Sequence, residues 1–599
     1  MTDNGPTVLD GAWDFPPGRV PEPGQPSGHP YGDPALYEQY ENQLQSDRVI
    51  LGTTLTYRPF SRFRHRLTVG GDINSAQANR YVPPQGLFDP VSLGQMTQGA
   101  PRNDVYTLDY AGSIDHTLPF GQLPSTFSFG VQYTNKVYQN TIAQGTGFSS
   151  TLVKDISSAT DRSAWDEFAQ SKALGFFVQE QVAWRDRLYL TAAVREDNSS
   201  VFGSAINQQY YPKLSAAYVL SEEPFMRKYS WLDNLKLRLA WGQAGNAPDP
   251  FAKVTTYRIV RTVDDSTGQV IQAVQLASVG NPRVKPERGS EVEAGFDAGL
   301  LGNRLGVELT LYNKTTYDAL MRVPLPESQV GIAGANQLQN VGQVNNKGIE
   351  LSLLGTPIQS RVLTWEARLG FFGNRNRLVR FGYNAPYIAY GLTTENQRTV
   401  EGYPIAGYWV HDPVLDSTGN YVASAARFVG PSLPTREASL SNTFTILGKL
   451  RLYTLLDYKG GYYLLNQTDW RRCVIGTCAE INDPNVSAVT KAKLQADLKA
   501  NDALYTQRAD FIKLREVSLT YTLPPEWSSL FRADRVAITL AGHNLGFLWK
   551  PWYKGLDPEV TFNGINTTSA DGGAFGWVRT DYFTMPMLRR FTVAVDVSF

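Results

Sequence analysis

The feature that most constrains this chain is a period of two in its apolar residues, sustained along most of its length. Leu235, Leu237, Leu239 and Trp241 alternate with Lys236, Arg238, Ala240 and Gly242. Leu305, Val307, Leu309 and Leu311 repeat the pattern against Gly306, Glu308, Thr310 and Tyr312, as do Val517, Leu519 and Tyr521 against Ser518, Thr520 and Thr522. The chain closes on another case, with Phe591, Val593, Val595, Val597 and Phe599 on one side and Thr592, Ala594, Asp596 and Ser598 on the other. A helical period fits none of these windows as well. Successive side chains of a strand point to opposite faces, so each segment has one apolar and one polar face. A single sandwich strand can read this way. Repeated over the whole chain, the pattern is what strands need when one face meets lipid and the other meets water.

Strands are expected near 48–57, 62–73, 104–117, 125–139, 173–185, 187–198, 212–221, 234–243, 288–300, 303–318, 345–356, 361–376, 435–447, 449–460, 511–523, 535–546 and 588–599, with residues 1–47 a Pro/Gly-rich loop segment. Tight connections such as 185–187, 301–304 and 447–449 take turns with long ones at 244–287, 377–434, 461–510 and 547–587. Short periplasmic turns opposite long extracellular loops are the mark of an outer-membrane barrel, and a Greek-key sandwich has no reason to show them. The expected fold is therefore all-β: an antiparallel transmembrane β-barrel over 48–599. Bacterial single-chain barrels have even strand numbers, and seventeen segments is odd. At least one strand is then missing before residue 48, and the barrel is incomplete. On that reading the closing strand lacks its partner, and pairing of 588–599 with 48–57 in a sealed cylinder would refute it.

Composition excludes several classes. The 56 basic residues balance 56 acidic ones, and no basic run occurs, so no nucleic-acid partner is indicated. No stretch of about eighteen apolar residues could form a transmembrane helix. The five His are widely spaced, without a metal-binding or catalytic pattern; no catalytic residues, metal or cofactor are expected. Cys473 and Cys478, the only two cysteines, cannot complete a four-ligand zinc site and read as a small disulfide loop, with two unpaired thiols as the alternative. The start, Met1-Thr-Asp-Asn-Gly-Pro6, has neither a basic n-region nor an apolar h-region of a signal peptide.

Several stretches, in order, resemble the SusC/RagA branch of the TonB-linked outer-membrane transporters. They are Asn234–Asn246 with its Gly-Gln-Ala-Gly-Asn ending, Asn281-Pro-Arg-Val-Lys-Pro-Glu287, and Asn340-Val-Gly-Gln-Val-Asn-Asn-Lys-Gly-Ile-Glu350. Phe511–Pro524, Gly542-His-Asn-Leu545 and Gly555-Leu-Asp-Pro-Glu559 complete the series. The resemblance implies a barrel of about 22 strands plugged by an N-terminal domain. It also implies residence in the outer membrane of a Gram-negative type bacterium, a SusD-type surface lipoprotein acting as a lid, and import of oligosaccharides or peptides driven by the TonB complex. The stretch present resembles the C-terminal barrel part. Neither a plug nor a TonB box is recognisable, so coupling to the TonB complex is expected only through a plug that these residues do not supply. A passive porin-like channel and a secreted multi-sandwich binding protein are the rival readings.

Candidate ligand or lid contacts are the aromatic and basic residues of the long loops: Trp409, Tyr462, Tyr463, Trp470, Arg471, Trp549, Trp552 and Trp577. Flat aromatic faces beside hydrogen-bonding groups suit sugar rings or peptide side chains. The competing reading is a membrane-boundary girdle or loop packing. The inward charges, including Lys236 and Arg238, are expected to pair across neighbouring strands. Phe599 resembles the C-terminal aromatic that serves as a barrel-assembly signal.

Overall fold

The computed structural model describes residues 41–599 apart from 85–93, 120, 151, 204–207, 264–266, 331–335, 383–387, 391–395, 475–477, 501–502, 560–578, 583 and 585. Seventeen strands make one antiparallel sheet. In chain order they are β1 (Glu41–Phe60), β2 (Phe63–Val82), β3 (Gln95–Leu118), β4 (Leu123–Thr146), β5 (Asp161–Trp184), β6 (Leu188–Ser199), β7 (Gln209–Val219), β8 (Leu232–Asn246) and β9 (Glu287–Leu300). There follow β10 (Leu305–Tyr317), β11 (Gln343–Gln359), β12 (Leu363–Arg380), β13 (Arg436–Ile446), β14 (Leu450–Gly460), β15 (Phe511–Thr522), β16 (Arg535–Trp549) and β17 (Arg590–Ser598). Each strand pairs with the next in sequence, from β1–β2 through to β16–β17. Among the described residues β1 and β17 are not paired with each other, so the wall is open there.

Each expected segment corresponds to one wall strand, but the N-terminal strands are longer than expected. β1 starts at Glu41 rather than at 48, β3 starts at Gln95 rather than near 104, and β4 runs on to Thr146. The added stretch Gln95–Asn103 has no apolar alternation. A strand rising above the lipid needs none, because both its faces meet water or loops. About ten tilted residues suffice to cross the hydrocarbon layer, and the rest of such strands stands outside it.

The two faces are chemically distinct. Outward side chains are exposed and apolar: Leu237 is 41% exposed, Leu239 55% and Leu311 49%. Inward charges pair between strands: Asp297 on β9 takes Lys236 at 3.0 Å and Arg238 at 2.7 Å from β8. Arg515 on β15 takes Asp457 on β14 at 2.6 Å. At the short-turn rim Trp231 and Trp184 are exposed on the outside, and Trp365 stacks on Phe444 at 5.7 Å. This is where an aromatic belt sits at a membrane boundary. Among the described residues no helix is long and apolar enough to cross a membrane.

Candidate functional site

The long connections all emerge at the rim opposite the short turns, and their side chains lock them onto the wall. Two of the ordered motifs meet between β8 and β11. The Asn340 side chain accepts the Lys285 amide at 2.9 Å and donates to the carbonyls of Lys285 at 2.7 Å and Asp318 at 3.0 Å. Asn281 donates to the Leu338 carbonyl at 3.0 Å, and Glu287 accepts the Leu320 amide at 2.6 Å. Lys285 adds an ion pair to Asp318 at 2.9 Å. Asn281, Asn340 and Glu287 are thus clamp residues. Each satisfies backbone groups of a neighbouring loop that would otherwise lie unpaired.

Above β12–β17 the loops build a canopy with its own core. One small sheet joins Ile388–Tyr390, Gln397–Thr399, Gly407–Val410 and Arg427–Gly430. A second joins Tyr463–Asn466, Thr506–Arg508 and Thr580–Asp581. Tyr408, fully buried, ties them together: its hydroxyl donates to the Arg579 carbonyl and accepts the Leu465 amide. Tyr408 packs in one cluster with Leu465, Trp470, Leu494, Tyr505 and the disulfide between Cys473 and Cys478. The bonded sulfurs, with Glu480 beside them, offer no thiolate to a metal.

The structure separates the expected contact residues into three groups. Tyr462 is 1% exposed and donates to the Pro558 carbonyl at 3.1 Å, and Trp470 is 8% exposed with Nε1 directed at the Leu498 carbonyl. Both rings are buried in loop packing, as large aromatics in such loops tend to be. Trp409 is half-buried against Tyr403 and Phe428 at 4.8 and 5.7 Å, Tyr463 packs on the canopy core, and Arg471 is half-buried on the helix Gln467–Val474. Trp549 and Trp552 are exposed and lie 4.9 Å apart at the outer rim. Trp577 lies outside the described residues. Phe599 follows β17 and is 85% exposed.

What the residue-by-residue reading missed is an ion-pair cluster in which two of the ordered motifs meet. Lys513 on β15 bonds Asp557 at 2.8 Å, and each of these side chains is 2% exposed. Glu559 receives Lys513 at 3.1 Å, Arg515 at 2.5 Å and Lys459 at 3.3 Å. Burial works against its charge, but Arg515 and Lys513 prevail and hold its carboxyl down at about 2. The final long loop is thereby pinned to the inner wall. The signal was available, because both stretches carry fixed-spaced charges, Lys-Leu-Arg and Asp-Pro-Glu.

Asp497 in the helix Ala488–Ala500 shows the opposite balance. It is fully buried, its Oδ1 has no partner among the described residues, and its Oδ2 accepts only backbone amides, the Leu504 amide at 3.3 Å among them. Burial pushes its carboxyl up to about 6. A raised acid binds its proton more tightly folded than unfolded, so its ionisation opposes the canopy in full above about pH 6, and that opposition fades as pH falls from about 6 to the ordinary value of 3.8. Asp497→Asn is expected to stabilise the canopy by about 1–3 kcal/mol at pH 7 and to change little at pH 4. Urea-dependent protease cleavage within 461–510 at the two pH values measures this.

Below the canopy the inner wall holds a polar recess of about 410 Å³, lined by Arg238, Glu308, Thr310, Glu350, Phe372 and Asp457 among others. Beside it, Tyr312 lies across Gly348, whose missing side chain makes room for the phenol, and reaches Asn374 at 3.2 Å while stacking on Phe372. Gly348 and Glu350 come from the same motif as Asn340. That motif therefore serves both the loop clamp and the recess.

The profile of the family described as "TonB dependent receptor-like, beta-barrel" matches residues 1–574. The chain belongs to that family. The receptor is 24% identical over 633 residues to TonB-dependent receptor P26 of Formosa agariphila, an alignment covering 96% of this chain and 61% of that protein. It is 26% identical over 425 residues to TonB-dependent receptor SusC of Bacteroides thetaiotaomicron, covering 65% of this chain and 41% of SusC. Its fold matches a chain of the RagAB peptide transporter with a TM-score of 0.75 at 19% identity, over 94% of this chain and 63% of that one. The receptor thus spans less than two thirds of the length of each of these relatives, at 61%, 41% and 63%. It is an outer-membrane barrel of the SusC/RagA type from a Gram-negative bacterium, in a family of receptors and transporters.

Proposed function

We propose that this receptor forms the wall and extracellular loops of an outer-membrane importer for oligosaccharides or peptides, powered through TonB and closed by a SusD-type surface lipoprotein. The observation that carries the reading is the canopy itself. Its last loop is clamped to the wall by a buried ion pair and the loops beside it by side chain–backbone bonds, over a lumen lined with balanced, mutually paired charges. A rigid rim above a polar, near-neutral lumen suits uncharged or zwitterionic solutes better than a strongly anionic one. The likeness in fold to a chain of the RagAB peptide transporter supports peptides as one of these two solute classes. Coupling to TonB would run through a plug domain, as the resemblance to SusC/RagA transporters implies.

The test is to purify the receptor from its native outer membrane in mild detergent and identify what accompanies it. A SusD-type lipoprotein in about equal amount, with a bound oligosaccharide or peptide released on denaturation, is the expected result. Steady open-channel conductance in planar bilayers, with no lipoprotein and no retained solute, would instead establish a passive channel.

A further inference from the structure

The outer surface at the long-loop rim carries a basic and aromatic cluster for which the transport reading has no use. Tyr458 continues the lipid-facing series Leu450, Leu452 and Leu456 of β14 and stands opposite Ile512, which in turn stands opposite Trp549 on β16. Trp549 therefore points away from the lumen. It meets Trp552 edge to face at 4.9 Å, and the two are 36% and 43% exposed. The Arg508 guanidinium lies over the Trp552 ring at 4.1 Å.

Arg508 is held in that plane by Asp510, whose Oδ2 accepts its Nε at 3.0 Å and its Nη2 at 2.6 Å. Asp510 is fully buried and is itself fixed by the Gly461 amide at 2.9 Å. Arg508 Nη1 keeps its donors without a partner among the described residues, on a side chain 40% exposed. The Tyr458 hydroxyl occupies the space left by the absent side chain of Gly460, next to Asp510. An interfacial belt needs Trp and Tyr at headgroup level, but it does not need a guanidinium oriented by a buried carboxylate. At the opposite rim Arg185 also lies over a tryptophan, Trp184, at 4.9 Å, yet no carboxylate fixes it among the described residues.

We propose that Tyr458, Arg508, Trp549 and Trp552 form a binding site for the phosphorylated saccharide headgroup of an outer-leaflet glycolipid. The indoles offer faces for a sugar ring, and Nη1 of Arg508 offers a charge-assisted donor pair to phosphate oxygens. The site stands where the outer-leaflet headgroups of a Gram-negative membrane lie. It depends on the outer-membrane placement of the receptor and not on what the receptor imports.

Native mass spectrometry of the complete chain in detergent tests this, with bisphosphorylated lipid A, its dephosphorylated form and inorganic phosphate as probes. Arg508→Gln and Trp552→Leu should each lower lipid A retention about tenfold, as loss of one charge-assisted bond or one stacking face implies. Arg508→Lys should be intermediate, and Arg185→Gln should match the parent chain. The dephosphorylated lipid should bind weakly, and millimolar phosphate should not displace lipid A. Equal retention by the parent and both rim variants would overturn the proposal. So would an equal loss in Arg185→Gln, or displacement by phosphate alone, which would mark a free-anion site. Heat-modifiable migration of each variant reports its fold, and Trp552→Leu carries the test if Arg508→Gln does not assemble.

Discussion

Lys513→Met is expected to release the last long loop from the wall. The substitution removes the one cation that holds both Asp557 at 2.8 Å and Glu559 at 3.1 Å, and it strands a carboxylate that is 2% exposed. Removing one partner of a buried pair costs about 3–5 kcal/mol, chiefly because the other charge stays behind. Lys513→Met with Asp557→Asn should therefore recover part of the loss. Hydrogen exchange should show protection falling across 550–559, while the amides of β14 keep theirs. The parent chain should mimic the variant in acid. Glu559 is depressed from its ordinary value of 4.5 to about 2, so its contribution is complete above about pH 4.5 and is lost as pH falls through about 2. Unchanged protection in Lys513→Met would mean that Tyr462 and Tyr553, which also grip this segment, suffice without the ion pairs.

Asn340→Ala is the second large effect. One side chain serves three backbone groups, the amide and carbonyl of Lys285 and the carbonyl of Asp318. Each partner left unsatisfied in a buried place costs about 1–3 kcal/mol. Water reaching the opened loop will offset part of that, so a net loss of about 3 kcal/mol is expected. The consequence is local: protease cleavage within 280–287 should rise by more than tenfold while heat-modifiable migration persists. Asn340→Asp keeps the acceptor for the Lys285 amide but not the two donations, and should fall between. Cleavage that stays at the parent level would show that Asn281 and Glu287 hold the loop without Asn340.

The wall was legible in the sequence because alternation and loop length report the same physics twice. Leu235–Gly242 showed which face meets lipid, and the spacing of connections showed which rim carries the loops. Turn chemistry was less informative. The β5–β6 connection places Arg185 and Asp186 at φ of 53° and 54°, where Asn-Gly would have been the recognisable signal. Strand lengths above the membrane were missed for a related reason, since Gln95–Asn103 has water or loops on both sides and so no apolar period to read.

The candidate site was legible only as motifs. The aromatic loop residues were visible, but sequence alone does not say that Tyr462 and Trp470 turn inward. Nor does it say that Trp549 and Trp552 turn outward onto a fixed arginine. Burial in a loop is set by tertiary contacts across large separations, such as the Tyr408 hydroxyl reaching Arg579 and Leu465. The motif Asn340–Glu350 was recognisable as family pattern. Its division into clamp and recess floor emerged only when Lys285, Tyr312 and Phe372 were placed around it.

The central claim is that one face of every wall strand meets lipid. Cysteine scanning of β10 from Val307 to Tyr312 with a nitroxide label tests it most directly, since the two native cysteines are bonded to each other and do not react. In outer-membrane vesicles, collision with dissolved oxygen should peak at Val307, Leu309 and Leu311 and fall at Glu308, Thr310 and Tyr312. A polar nickel chelate should never favour the first set. A flat profile, a period near 3.6, or chelate access at Leu309 and Leu311 would contradict the barrel account.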